Sequence, residues 1–410
     1  MGGRASIVAA IFAVAIGPSA CNRDRSPVGR WDATVVVRDV EVPFKFEIAR
    51  SGAVLSGAFF EGDQRVPSSE GRYEDGVLSL TFAQFGTRLE ARLDDDRLVG
   101  LYDRGTRGPG YPFEARRETP EPRPVGPVPS IAGEWRIPLD KPSDMGELAW
   151  RLVVRQSGAR VVAAIMRVDG DTGAVSGSYR DNRFVLGRFV GVGPERLEIT
   201  PADDGSLQLL QMRRTRLVAV RASDPRAGAM AAPTDPRLHT RVKDPSERFR
   251  FAFPDLEGRL VSDSDPRFRG KVVVVSITGT WCTNCHDEAP FLAELYRTHQ
   301  SRGLEIVALA FEEPAQLADL SRVRGFIKQY GLTYPFLLAG TPEEAPEKIP
   351  QAINLTTFPA TFVLGRDGRV RAVHAGYASK ATGDFYETEQ KQFVDQIERL
   401  LAEPPPTEAR

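Results

Sequence analysis

Between residues 29 and 221 the chain alternates apolar and polar positions with the two-residue period of a strand that buries one face. Phe44, Phe46 and Ile48 fall on one side of such a strand and Lys45 and Glu47 on the other, and Leu78, Leu80 and Phe82 repeat the arrangement. The segment is also written twice. Residues 46–52 recur as 152–158 and residues 71–75 as 177–181, both at an offset of 106, and Gly29-Arg30-Trp31 recurs as Gly133-Glu134-Trp135. Agreement between offsets read at two separate places points to duplication. Turn signals at Asp75-Gly76, Asp94-Asp95-Asp96 and Asp203-Asp204-Gly205 interrupt the alternation at short intervals. Each copy is therefore expected to be an antiparallel meander closing into a small barrel or sandwich.

Beyond residue 249 the pattern changes. Short strands at 249–253 and 259–261 lead into a continuous β-branched run at 272–278, which suits a strand buried on both faces. Helical spacing follows over 284–300, then a strand at 304–311, a helix over 315–330 stopped by Gly331, a short strand at 335–338 and a further helical piece. A hairpin of 360–364 and 369–375 around Asp367-Gly368 and a helix over 386–402 complete the segment. Alternation followed by a hairpin predicts a mixed sheet covered by helices. The layout expected is a leader over 1–21, β copy 1 over 27–117, a Pro-rich spacer over 118–130, β copy 2 over 131–222, a second linker over 223–248, the α/β domain over 249–403 and a tail over 404–410.

A chain of 410 residues exceeds one hydrophobic core, which agrees with this division. The formal net charge of −1 supplies no basic field for nucleic acid or an anionic membrane surface. The leader changes the picture more. Arg4 precedes an apolar run over 5–16, too short to span a bilayer but suited to a secretory signal. Cys21 follows Ser19-Ala20, resembling the end of a bacterial lipobox, although Pro18 departs from the aliphatic residue usual there. Acylation of Cys21 would make a lipid the only membrane contact; ordinary signal cleavage would leave a stray cysteine. Either reading takes the mature chain out of the cytoplasm.

The remaining cysteines stand in Trp281-Cys282-Thr283-Asn284-Cys285, where a strand hands over to a helix. Unpaired backbone N–H groups and the positive end of the helix dipole at that place favour thiolate over thiol at Cys282. Cys285, one turn on, returns to the same face within bonding reach. Cys282 to His286 also fits C-x-x-C-H, the haem attachment pattern, with His299 and His374 as the downstream axial candidates. A structural zinc site would need a second cysteine pair, which the chain lacks.

Gly270-Lys271 before the strand, the segment 279–285, Glu288, Pro290 and Phe358-Pro359-Ala360-Thr361-Phe362 together resemble the TlpA/ResA-type envelope thiol-disulfide oxidoreductases, of thioredoxin fold. The resemblance covers 249–402. It implies Cys282 as attacking thiol, Cys285 as its resolving partner, a redox disulfide between them, Pro290 as a helix kink, and a cis-Pro359 that with Trp281 and Phe358 shapes the substrate groove. Glu288 matches a partly buried glutamate that tunes the thiols or carries a proton. It further implies protein thiols and disulfides of the cell envelope as partners, a membrane or periplasmic electron donor and no dissociable cofactor. Ser276 departs from the Asp or Asn usual at its position, and Thr283-Asn284 and His286 depart from the common Pro-containing centre. A peroxiredoxin would need Thr or Ser at 279 and Pro at 275, where this chain has Gly279 and Val275. For the β pair the resemblance, to calycin-like barrels, is loose; the expectation is a packed interior with Trp31 and Trp135 as core plugs, the alternative a ligand-binding one.

Overall fold

A computed structural model describes residues 26–120, 124 and 126–404. The leader with Cys21, residues 121–123 and 125 of the Pro-rich spacer, and 405–410 lie outside the described residues. In copy 1 the strands β1 (Gly29–Val37), β2 (Val40–Ser51), β3 (Val54–Glu61), β4 (Gln64–Pro67), β5 (Glu70–Glu74), β6 (Val77–Phe82), β7 (Thr87–Asp94), β8 (Arg97–Asp103) and β9 (Tyr111–Arg117) pair in the order β4-β3-β2-β1-β9-β8-β7-β6-β5. Alternation places Phe44, Phe46, Ile48, Leu78, Leu80 and Phe82 inside, all buried. Asp75 and Gly76 take positive φ of 50° and 77°, the geometry of a tight hairpin turn between β5 and β6.

Copy 2 repeats the order and closes it. Its strands are β10 (Gly133–Pro138), β11 (Ala149–Ser157), β12 (Arg160–Arg167), β13 (Gly170–Asp171), β14 (Val175–Arg180), β15 (Arg183–Arg188), β16 (Glu195–Pro201), β17 (Leu207–Gln211) and β18 (Thr215–Arg221). β10 pairs with both β11 and β18, and β12 pairs with both β11 and β14, so the ring is complete. In copy 1 β3 and β5 do not pair; Ser68, in the connection between β4 and β5, extends the β3–β4 ladder, its N–H donating to the Gly57 carbonyl at 2.8 Å and its Oγ accepting from the Gly57 N–H at 3.0 Å. Copy 1 is a half-barrel and copy 2 a barrel, both with interiors filled by side chains.

The duplication extends to tertiary detail. Trp31 Nε1 donates to the Pro27 carbonyl and Trp135 Nε1 to that of Ile131, at 3.0 and 2.9 Å. The Arg117 and Arg221 guanidinium groups lie 4.1 and 4.3 Å from those two indole rings. The copies also interlock: the loop after β15 sends Phe189, Val190 and Val192 into the core of copy 1. Phe189 lies 5.0 Å from Phe44, 5.2 Å from Phe59 and 4.9 Å from Tyr102, ring to ring. Beside it Arg188 forms a buried ion pair with Glu61 of copy 1 at 2.5 Å.

The third unit is a five-stranded sheet in the order Phe336–Gly340, Leu304–Phe311, Val272–Thr278, Ala360–Leu364, Val370–Ala375. The first three run parallel and the last two antiparallel, with apolar clusters on both faces, so Val272–Thr278 is buried throughout. Helices Thr283–His299, Ser321–Tyr330 and Asp384–Ala402 cover it. One expected helix is two: Pro314–Ala318 and Ser321–Tyr330 are separated where the Asp319 carboxylate accepts the Ser321 N–H at 2.9 Å, a local bond that competes with helix continuation. The stretch before this domain is packed against its neighbours. His239 bonds Thr356 Oγ1 at 2.9 Å, and Arg241–Val242 pairs with Ala352–Ile353.

Candidate active site

The strand Val272–Thr278 ends at a turn fixed by charge. Glu312, fully buried, accepts the Thr280 N–H at 2.7 Å and the Thr280 Oγ1–H at 2.6 Å, while Arg322 Nε donates to Thr280 Oγ1 at 2.8 Å and its Nη2 to Glu312 at 3.2 Å. An ion pair buried in this way persists because both partners are fully bonded. After it the chain turns into the helix Thr283–His299, and Cys282 is the N-cap: its Sγ accepts the Cys285 N–H at 3.1 Å. Cys282 and Cys285 form a disulfide with Cα atoms 5.2 Å apart. On reduction the same N–H and the helix dipole stabilise a thiolate at Cys282, whereas Cys285 lies inside the first turn.

Across from the sulfurs, the Phe358–Pro359 bond is cis and the Phe358 carbonyl oxygen lies 3.3 Å from Cys282 Sγ. The Trp281 indole sits 5.0 Å from the Phe358 ring and is itself fixed by donation from Nε1 to the Phe311 carbonyl at 2.8 Å. Trp281 and Phe358 remain half-buried, forming an apolar edge beside the disulfide.

Glu288, one turn beyond Cys285, is buried between the helix and the sheet. It accepts hydroxyl bonds from Thr361 Oγ1 at 2.7 Å and Ser276 Oγ at 3.2 Å. Burial raises its pKa to about 7 against the downward pull of those two bonds. Ser276, which departs from the usual acceptor at that position, is here a donor to the buried carboxylate. The sequence singled out Glu288 but not the role of Thr361, because the partners lie 73 residues apart. A cavity of about 600 Å³ between β copy 2 and this domain reaches Glu288, with His374, Tyr377 and Glu389 among its walls.

His286 is fully engaged. Its Nδ1 bonds the Tyr330 hydroxyl at 2.9 Å and its Nε2 the Thr280 carbonyl at 3.0 Å, and burial lowers its pKa to about 3, so the ring is neutral. A haem iron would require a ring nitrogen that is already bonded. The ring packs at 4.6 Å against Phe85, a residue of β copy 1.

A family model described as Redoxin matches residues 241–390. The thiol-disulfide oxidoreductase ResA of Geobacillus thermodenitrificans (strain NG80-2) is 32% identical over 130 residues, covering 32% of this chain and 68% of that protein. The chain belongs to the ResA family of thiol-disulfide oxidoreductases. ResA of Bacillus subtilis (strain 168) is 30% identical over 135 residues, covering 33% of this chain and 69% of that protein. A putative thiol:disulfide interchange protein DsbE from Chlorobium tepidum aligns at 20% identity, covering 38% of this chain and 99% of that one, with a TM-score of 0.30. The ResA-like part is the third unit, with an oxidoreductase centre of the Cys-x-x-Cys kind. The β pair stands outside the Redoxin match.

Proposed function

We propose that this ResA-family chain is a cell-envelope dithiol-disulfide oxidoreductase that reduces disulfides in proteins. The observation that carries the reading is the capping of the helix by Cys282, whose sulfur accepts the Cys285 N–H. In the reduced state the Cys282 thiolate attacks one sulfur of a substrate disulfide; that S–S bond breaks, the leaving sulfur departs as thiolate, and a mixed disulfide forms. Cys285 then gives its proton to the Glu288 carboxylate and attacks Cys282 Sγ, which expels the second substrate sulfur and closes the Cys282–Cys285 bond. Two electrons pass to the substrate, and a membrane or periplasmic dithiol donor restores the enzyme. Trp281, Phe358 and Pro359 line the groove in which the substrate lies. Cys21 is the proposed lipid attachment point.

The test is a trap. Cys285→Ser removes the resolving sulfur, so reductant-sensitive adducts with substrate proteins accumulate, whereas Cys282→Ser gathers few. Equal recovery from both variants means the nucleophile is misassigned. A reduction potential near that of thioredoxin, about −270 mV, supports the reductive direction, and one near −120 mV reverses it. An unacylated N-terminus by mass spectrometry removes the lipid anchor.

A further inference from the structure

The redox centre is covered on one side by the rest of its own chain. Asn284, one of the two residues between the cysteines, donates from Nδ2 to the Asp169 carbonyl of β copy 2 at 2.8 Å. The turn that carries Asp169 is wedged between the redox helix and the segment after the last strand. Gly170, at φ 124°, leaves no room for a side chain: a Cβ there would overlap Asn284 and lie 2.5 Å from the Tyr377 carbonyl oxygen. Asp171 holds the other end of the wedge by accepting the Ser379 N–H at 2.6 Å. Gly193, in the loop whose apolar residues fill copy 1, lies against Thr283, where a Cβ would stand 3.1 Å from Thr283 Oγ1. Copy 1 adds its own contacts: Phe85 on His286, and Thr106, whose Oγ1 accepts from Gln316 Nε2 at 2.9 Å.

Thr283, Asn284 and His286 are the positions where the centre departs from the common pattern, and all three face the β pair. Cys282 is left 5% exposed and Cys285 1%. Trp281 and Phe358, against the cis-proline, pack on each other and on Phe311 and stay half-buried.

We infer that the β pair is a specificity cap, with Asp169, Gly170 and Gly193 as the residues that restrict approach to Cys282 to the Trp281–Phe358 edge. The inference rests on the proposed redox activity and narrows its substrate class. A disulfide in an unfolded or extended polypeptide segment, or a small organic disulfide, reaches the sulfur along that edge. A disulfide set in the surface of a folded domain collides with the Asp169–Gly170 turn and the loop at Gly193.

The experiment uses the full chain in the reduced state. Initial rates are measured with an unstructured peptide carrying one intramolecular disulfide and with a folded protein carrying one exposed disulfide. Wild type should favour the peptide at least tenfold. Gly170→Ala, which pushes the wedge away from Asn284, should raise the folded-protein rate at least fivefold and leave the peptide rate within twofold. Alkylation of Cys282 by iodoacetamide and by a 5-kDa polyethylene glycol maleimide reads the coverage without turnover and without need of the variant. The bulky reagent should lag by at least tenfold, relative to a free model thiol, in wild type. Equal alkylation by both reagents, or equal wild-type rates on peptide and folded protein, overturns the cap. Alkylation contrast without reduction of any disulfide overturns the redox reading and leaves the cap standing.

Discussion

The β pair and the redox domain differ in where they bury polar side chains. In the β copies the interior is aromatic and aliphatic, and the repeated features are packing devices such as the Trp31–Arg117 and Trp135–Arg221 pairs. In the redox domain a polar seam runs through the interior: Ser276, Glu288 and Thr361 on one side of the cysteines, Thr280, Glu312 and Arg322 on the other. Within each β copy packing volume dominates, and buried charges of the β pair, Arg188 with Glu61 and Asp171, sit where a copy meets a neighbouring unit. Volume changes should therefore weigh most on the β interiors, and the pH dependence of Glu288 most on the redox domain.

The largest effect is expected at Phe189. Phe189→Ala should destabilise the protein by about 3–5 kcal/mol, the range for removing a fully packed phenylalanine. The loss should be the same at pH 5 and pH 8 and should appear first in amide exchange of copy 1, although residue 189 belongs to copy 2. Loss confined to copy 2 would show that the interlock does not sustain the half-barrel.

Glu288 supplies the converse. Its folded pKa of about 7 exceeds the ordinary 4.5, so the native state holds the proton more tightly than the unfolded chain does. That contribution is fully present below pH 4.5 and is lost as pH rises to about 7, a change of about 3 kcal/mol. Glu288→Gln should flatten the pH dependence of thermal unfolding of the disulfide form in that window. Asp171, raised to about 6 by burial, contributes with the same sign in both proteins, so the difference curve isolates Glu288. Parallel curves would mean that the carboxylate is ionised in the fold.

The smallest expected effect lies within the β pair. Arg117→Ala and Arg221→Ala each remove a guanidinium from an indole face and should each cost about 1 kcal/mol, agreeing within about 0.5 kcal/mol. Unequal costs in chemical denaturation would show that the duplicated contacts have diverged in energy while keeping their geometry.

The sequence disclosed what local pattern encodes. Two-residue alternation and the repeated segments announced duplicated β domains, and the strand-helix rhythm after residue 249 announced the α/β fold that follows. Closure into a barrel was expected of both copies; that only copy 2 completes it was not legible, because the pairing of β12 with β14 is a long-range choice with no local signature. The interlock did leave a signal: Phe189-Val190-Gly191-Val192-Gly193 is an apolar run in a connection, where an isolated meander would put polar residues. At the site, Cys282, Cys285, Trp281, Phe358 and Pro359 meet because the topology brings the redox helix against the loop at Pro359. Glu312, Arg322 and the Asn284–Asp169 contact could not be read, since each depends on partners distant in the chain. The break at Asp319-Leu320 was missed because helical spacing of apolar residues continues across it, while the Asp319 side chain takes the N–H that a continuous helix would use.

The seating of Phe189 in copy 1 has a consequence in time. Strand pairing of copy 1 is complete at Arg117, yet the ring that fills its core arrives about seventy residues later. At roughly 5–20 residues per second, a chain made from its N-terminus carries a half-barrel with an open aromatic mouth, lined by Phe44, Phe59 and Tyr102, for on the order of 4–14 s. Wherever the chain folds, copy 1 cannot be sealed until residue 189 is present, so its completion waits on its twin.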